Sequence, residues 1–167
     1  MLVFAKGDVV LNDKCSVGEL ITELQSAVDV ALQANQAQLL VDNSCPELMI
    51  RCNLQSLVGA LSNLINNALQ ASSLGVDVQL SCQLKDRLLT ITVTDQGAGI
   101  APPLLQRLSD EEAFVSTKSQ GTGLGLAVVR AVAKAHRGEF ELSSVAHQGS
   151  KARILLPINA MPILAGD

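Results

Sequence analysis

The sequence predicts a two-layer α/β sandwich with helices packed on one face of a mixed, mostly antiparallel sheet. Three observations carry that expectation. Apolar residues recur at three- and four-residue steps over 17–32 and 53–72, the period of helices with one buried face. Two pairs of alternating stretches, 76–84 with 88–94 and 139–145 with 151–158, each surround a short polar turn, as hairpins do. Between those hairpins a third helical pattern runs to His136, with Arg130, Lys134 and Arg137 toward its end and Gly138 as its stop.

In chain order, Met1 to Ala5 is apolar and Lys6-Gly7-Asp8 breaks it, which reads as the last turn of a preceding helix. Val17, Leu20, Ile21, Leu24, Val28 and Leu32 form the buried stripe of the first helix. Residues 38–42 and 48–52 are short extended segments around the turn signal Asn43-Ser44-Cys45-Pro46. The next helix is capped by Asn53 and carries the stripe Leu54, Leu57, Val58, Leu61, Leu64, Ile65, Ala68 and Leu69. Its other face is unusual. From Asn53 to Ser73 there is no charged residue, although ten of those positions are Asn, Gln or Ser. A solvated helix face normally carries charge, so this face is expected to meet something other than bulk water. Asp95-Gln96-Gly97-Ala98-Gly99 closes the first hairpin's second strand in a glycine loop, and Pro102-Pro103 opens a short helix toward Leu108. Residues 109–120 are polar and irregular, a loop or lid, and Gly121-Thr122-Gly123-Leu124-Gly125 precedes the last helix.

At 167 residues, 48% hydrophobic and 17% charged, the chain is expected to fold as one domain with a sizeable core. Lys and Arg number 12 against 16 Asp and Glu, and there are three Phe with no Tyr or Trp. A basic, aromatic-studded nucleic-acid platform is therefore excluded. Four Cys without a CxxC pair, and two His, point to reduced thiols, not to a zinc site or a disulfide framework. No apolar run reaches membrane-spanning length and no signal-peptide pattern opens the chain, so a soluble, cytoplasmic domain is expected.

Asn63 and Asn67 are four apart and share one side of their helix, beside the small residues Ser56, Gly59 and Ala60. Neutral amide oxygens there can ligate Mg²⁺, which takes its other ligands from waters and phosphates; local hydrogen bonding is the alternative use of the pair. Asp95, at a strand end before glycines, can accept the exocyclic amino group of a nucleobase or simply stabilise its turn. Gly121, Gly123 and Gly125 lead into a helix whose free N–H groups suit phosphate. Two familiar phosphate motifs fail on this sequence: there is no G-x-x-x-x-G-K-[ST], and a dinucleotide fingerprint would need Gly in place of Leu126. Lys118 precedes the glycine run and can add a positive charge, or be a solvated lysine beside a flexible turn.

In this order the pieces resemble the ATP-binding catalytic domain of sensor histidine kinases. LSNLINNALQA looks like that family's N box, DQGAGI its first glycine box, FVSTK its F-box region and GTGLGLAVV its second glycine box. The resemblance implies the Bergerat-type nucleotide fold shared with gyrase, HSP90 and MutL, ATP and Mg²⁺ as ligands, and a lid over the nucleotide. It divides the chain into the end of a dimerisation helix with its linker (1–16), similar to the nitrogen- and flagellar-regulation branch, the ATP-binding domain (17–158) and a tail (159–167). It makes Asn67 the Mg²⁺ ligand, Asn63 its polar neighbour near the phosphates and Asp95 the adenine reader. Gly97, Gly99 and Ile100 shape the adenine pocket, Phe114 packs the lid beside Thr117, Lys118 approaches the phosphates, and Gly121, Thr122, Gly123, Leu124 and Gly125 bind them through backbone N–H groups. The implied catalytic pair is Asn63 with Lys118.

The same resemblance implies a signalling role in which the γ-phosphoryl group passes to a histidine on a separate dimerisation domain and then to a response regulator. No phosphoacceptor is expected within this chain, since neither His136 nor His147 has the acidic neighbour of an H box. The isolated domain is expected to be monomeric. Two other readings share the fold, an anti-sigma-factor-type serine kinase and a non-catalytic nucleotide-sensing module. Serine kinases and hydrolases of this fold carry a glutamate general base where Asn63 stands, and an amide cannot take that proton.

Overall fold

A computed structural model describes residues 11, 13–96, 123–144 and 149–158. Its elements in chain order are β1 (Asp13–Ser16), α1 (Val17–Ala34), β2 (Leu39–Asn43), β3 (Met49–Cys52), α2 (Leu54–Ala71), β4 (Val78–Lys85), β5 (Leu88–Asp95), α3 (Gly123–Ala135), β6 (Glu139–Ser144) and β7 (Ser150–Pro157). Five strands form one sheet in the order β2-β4-β5-β7-β6. The β2–β4 pair is parallel and the other three pairs are antiparallel, as expected of a mixed sheet.

Alternation decides which face of the sheet is covered. Val78, Leu80 and Cys82 of β4, Leu89, Ile91 and Val93 of β5, and Ala152, Ile154 and Leu156 of β7 are all buried. The alternate positions are half-buried, as at Thr90, Thr92 and Thr94, or exposed, as at Gln79 and Lys151, so the helices cover one side. Burial of this apolar surface, at about 25 cal/mol per Å², is the main stabilising contribution. The stripe read for α1 is buried at all six positions, and α2 buries Leu57, Ala60, Leu61, Leu64, Ile65, Ala68 and Leu69. No helix among the described residues is long and apolar enough to cross a membrane.

Local chemistry sets the element ends. A capping box opens α1: the Glu19 N–H donates to Ser16 Oγ at 3.0 Å and the Ser16 N–H to Glu19 Oε1 at 2.7 Å. The Asn53 side chain accepts the Ser56 N–H at the start of α2. Between β4 and β5 the two-residue turn holds Asp86 and Arg87 at φ of 53° and 60°, the double positive φ that matches strand twist in tight hairpins.

One strand escaped the sequence reading. Asp13–Ser16 pairs antiparallel with β3 in a separate two-stranded sheet, so β3 pairs with β1 and not with β2. Four residues are too few for a strand period to register, and the pairing is made across 37 positions of chain. It brings the thiols of Cys15 and Cys52 to 3.7 Å from one another, both buried.

Gly138 stops α3 for a reason other than backbone conformation. The left-handed residue is Arg137, at φ 64°, and the closing bonds run from the Gly138 N–H to the Ala133 carbonyl and from the Arg137 N–H to the Lys134 carbonyl. A Cβ on Gly138 would lie 2.0 Å from the Leu155 carbonyl oxygen, so the glycine is required by the close approach of β7. Gly138→Ala is therefore expected to destabilise the chain by about 1–3 kcal/mol, whereas Arg137→Gly is neutral or stabilising by up to about 1 kcal/mol. Urea melts of both variants check this, and an unchanged midpoint for Gly138→Ala would contradict it.

Candidate nucleotide-binding site

Asp95 is the last residue of β5 and continues the buried series Leu89, Ile91, Val93 by one more step. A period of two thus carries a carboxylate to the helix-covered side of the sheet, at the rim of the core, where it is 6% exposed. The neighbouring strand prepares its place. In the β5–β7 register Asp95 lies opposite Ser150, whose hydroxyl donates to Asp95 Oδ2 at 2.6 Å. Gly149 precedes it at φ 93°, and a Cβ there would lie 2.1 Å from the Asp95 carbonyl oxygen. Any other residue at 149 would push β7 away from the end of β5 and unseat that hydroxyl.

In the sequence Gly149 and Ser150 fall in the turn between two strands. A Gly-Ser step in a hairpin has many uses, and its role here depends on a register 55 residues distant in sequence. The available signal was Ser150 opening the strand that follows the hairpin, but only the observed sheet order shows that this strand lies beside β5.

Asn63 and Asn67 both lie on the less buried side of α2 and both are half-buried, whereas Asn66 between them is exposed. Neither amide takes part in a hydrogen bond among the described residues. Beside them the Ser62 hydroxyl is buried with no partner among the described residues. α2 packs against β5 on one side and α3 on another, which brings the helix bearing the two amides to the strand bearing Asp95 and to the helix that begins at Gly123.

That helix begins earlier than the glycine pattern suggests. Gly123, Leu124 and Gly125 are in the first turn of α3 and not in a loop before it. The first four N–H groups of a helix have no intrahelical acceptor, so the glycine run brings its own backbone donors and the positive end of the helix dipole to the same place. No acidic residue lies in this first turn, which leaves it suited to an anion. Of the residues read as nucleotide-binding, Gly97, Gly99, Ile100, Phe114, Thr117, Lys118, Gly121 and Thr122 lie outside the described residues.

Oxygen donors without a carboxylate between them suit a hard cation that arrives with phosphates, because such a cation keeps waters and takes charge neutralisation from the anion. Among the described residues no three His, Cys, Asp or Glu side chains cluster to hold a metal by themselves. Asn63 and Asn67 thus fit Mg²⁺ accompanied by a nucleotide and do not make a free-standing metal cage.

The chain as a whole is similar to known proteins. The sequence model of the histidine kinase-, DNA gyrase B- and HSP90-like ATPases matches residues 52–160. The chain is 41% identical over 168 residues to the sensor protein kinase FleS of Pseudomonas aeruginosa, covering 99% of this chain and 40% of that protein. It is 33% identical to the sensor histidine kinase RppB of Synechocystis sp., covering 90% of this chain and 34% of that protein. The chain thus spans well under half the length of these relatives. Among solved structures, the catalytic domain of histidine kinase ThkA superimposes with a TM-score of 0.77 at 20% identity, covering 87% of this chain and 95% of that one. The mycobacterial sensor histidine kinase MprB does so with a TM-score of 0.72 at 23% identity, covering 88% and 97%. The fold is that of histidine kinase catalytic domains. With the family pattern matched from Cys52 through Ala160, the chain belongs to the histidine kinase-, DNA gyrase B- and HSP90-like ATPase family.

Proposed function

We propose that this chain is the ATP-binding half of a sensor histidine kinase, residues 17–158 forming the domain that holds Mg²⁺-ATP and presents its γ-phosphoryl group to a histidine on a separate dimerisation domain. The observation that carries the reading is the Asp95 carboxylate, buried at the end of β5 and held by Ser150 from β7. A buried acceptor of that kind suits a donor such as the exocyclic amino group of adenine, and guanine, which has a carbonyl at that position, offers it no proton.

The residues divide the work by chemistry. Asp95 accepts from the base while Ser150 orients the carboxylate, and the first turn of α3 donates backbone N–H groups to the phosphates. Asn67 offers its amide oxygen to the cation and Asn63 stands beside it toward the phosphates. Held by Asn67, Mg²⁺ would supply charge neutralisation to the phosphate oxygens. Gly97, Gly99, Ile100, Phe114, Thr117, Lys118, Gly121 and Thr122 complete the site in the roles that the family resemblance implies, Lys118 as a cation near the phosphates and 109–120 as the lid.

Nothing in this set takes a proton from a nucleophile, and Asn63 is what favours a histidine kinase over a serine kinase of the same fold. A neutral imidazole is already a nucleophile, so a donor domain facing a histidine needs positioning and charge neutralisation and no base. Residues 1–16, the last four of which pair as β1 with β3, lead from the dimerisation domain, 159–167 are a tail, and a response regulator receives the phosphoryl group. A monomeric, cytoplasmic catalytic domain completes the proposal.

Calorimetry with ATP and GTP in the presence of Mg²⁺ tests the adenine reader. Wild type should prefer ATP, Asp95→Asn should lose about 1–3 kcal/mol of that preference, and Ser150→Ala about 1 kcal/mol. Asn67→Ala should weaken only the Mg²⁺-dependent part of binding, with the melting temperature of the nucleotide-free chain unchanged. Equal affinity of the wild type for both nucleotides would remove Asp95 from its role.

A second experiment addresses transfer. The chain incubated with γ-labelled ATP should acquire no phosphohistidine and hydrolyse ATP slowly. A phosphoacceptor helical domain of the same full-length kinase, added in trans, should become labelled, at a rate lowered by the lost proximity. Label on His136 or His147 would contradict the division of labour.

A further inference from the structure

His136 is nearly buried, 7% exposed, at the point where α3 ends. Its ring Nδ1 lies 2.8 Å from the Val132 carbonyl oxygen, and its Nε2 lies 3.0 Å from the backbone nitrogen of Asn53. A carbonyl only accepts and an N–H only donates, so these partners fix one tautomer, with the hydrogen on Nδ1 and a bare acceptor at Nε2. The group it accepts from is the backbone N–H of the residue that caps α2. The Leu54 N–H is meanwhile taken by Asp13 Oδ2 at 2.8 Å and the Ser56 N–H by Asn53 Oδ1 at 2.9 Å. The start of α2 is thus tied by side chains from β1, from its own cap and from the far end of α3.

We propose that His136 is a positioning residue for the nucleotide site, latching the end of α3 to the start of α2 through a hydrogen bond that only the neutral ring can accept. The inference rests on the nucleotide-binding reading above. At 1.5 Å per residue, Asn63 and Asn67 lie about 15 and 21 Å along α2 from the latch, and Gly123 lies about 20 Å back along α3. The two helices pack on one another, so the latch determines how the amide pair and the phosphate-binding turn stand relative to each other. A tilt of about 3° at the latch moves a group 20 Å away by about 1 Å, a displacement large enough to matter at a reacting phosphate.

A second proton on the ring would have to sit on Nε2, where it would face the Asn53 N–H, donor against donor. Burial lowers the pKa of His136 and the bond to the Val132 carbonyl partly opposes that shift. The charged groups on the surrounding elements are Arg130, Lys134 and Arg137 on α3 and its end, Arg51 on β3, and Asp13 and Lys14 on β1. On the strands that follow they are Glu139 and Glu141 on β6 and Lys151 and Arg153 on β7. α2 contributes none. The neighbouring Cys52 thiol is pushed up by its bond to Cys15 and by burial, so it stays protonated and uncharged. With a folded-state pKa below the ordinary 6.5, the latch is complete above that ordinary value and is lost as the pH falls through the lowered one.

The test compares Mg²⁺-ADP affinity of the wild-type chain, His136→Gln and His136→Leu at about pH 7.5 and at a pH below the folded-state pKa of His136, located by NMR titration of its ring protons, with circular dichroism reporting the fold. Gln offers an acceptor to the Asn53 N–H without a titrating group, and protonation of the nucleotide itself cancels in the comparison. Wild type and His136→Gln should bind alike at the higher pH, and the wild type should fall behind by about fivefold or more at the lower. His136→Leu should bind weakly at both; if that variant does not fold, the Gln comparison decides. Parallel profiles for wild type and His136→Gln would overturn the positioning role while leaving nucleotide binding in place. Failure of the wild type to bind Mg²⁺-ADP at either pH would instead overturn the nucleotide reading and the latch's role with it.

Discussion

The hydrogen bond from Ser150 to Asp95 joins the sheet to its site, and much of the described structure is arranged so that it can form. An unpaired carboxylate behind the helices would be costly, because a buried charge needs partners to offset its lost hydration. The β5–β7 register supplies the hydroxyl, and the register exists because each strand alternates apolar residues toward the same side. Gly149 allows the strands to approach at that level, where any side chain would collide with the Asp95 backbone. The core and the site are therefore one construction: the alternation that buries Ile91 and Val93 also delivers Asp95.

α2 shows the same economy on the helical side. One face is a continuous apolar stripe packed on the sheet and on α1, and the other carries no charge along the whole helix. A lysine or aspartate there would bring its own counter-ion requirement to the candidate site. Amides supply oxygen donors without fixing the charge balance. The helix is then held at its start by Asp13 and His136, which ties the geometry of the amide pair to the end of α3.

How far the sequence shows this depends on the distance over which each feature is encoded. The α1 stripe was legible residue by residue, because its period repeats five times within one helix, and Asp95 was legible as the end of an alternating strand followed by glycines. The uncharged face of α2 was legible as an anomaly of composition. Gly149, Ser150 and His136 were not. Each matters through a partner 54 to 83 positions away, and its own neighbourhood reads as an ordinary turn or helix end. β1 was missed for the same reason, since a four-residue strand is specified by its partner and not by a period of its own. The glycine run was placed before the helix, whereas Gly123, Leu124 and Gly125 lie in its first turn.

A nitrogen-15 correlation spectrum of the chain titrated with Mg²⁺-ADP tests the central claim most directly, since every backbone N–H reports its own surroundings. The account predicts that the largest changes fall on Asn63, Asn67, Asp95, Ser150 and the first turn of α3, at nucleotide concentrations that saturate. Changes confined to the open face of the sheet, at Gln79, Ser81, Thr92 and Arg153, or no change at saturating nucleotide, would contradict it.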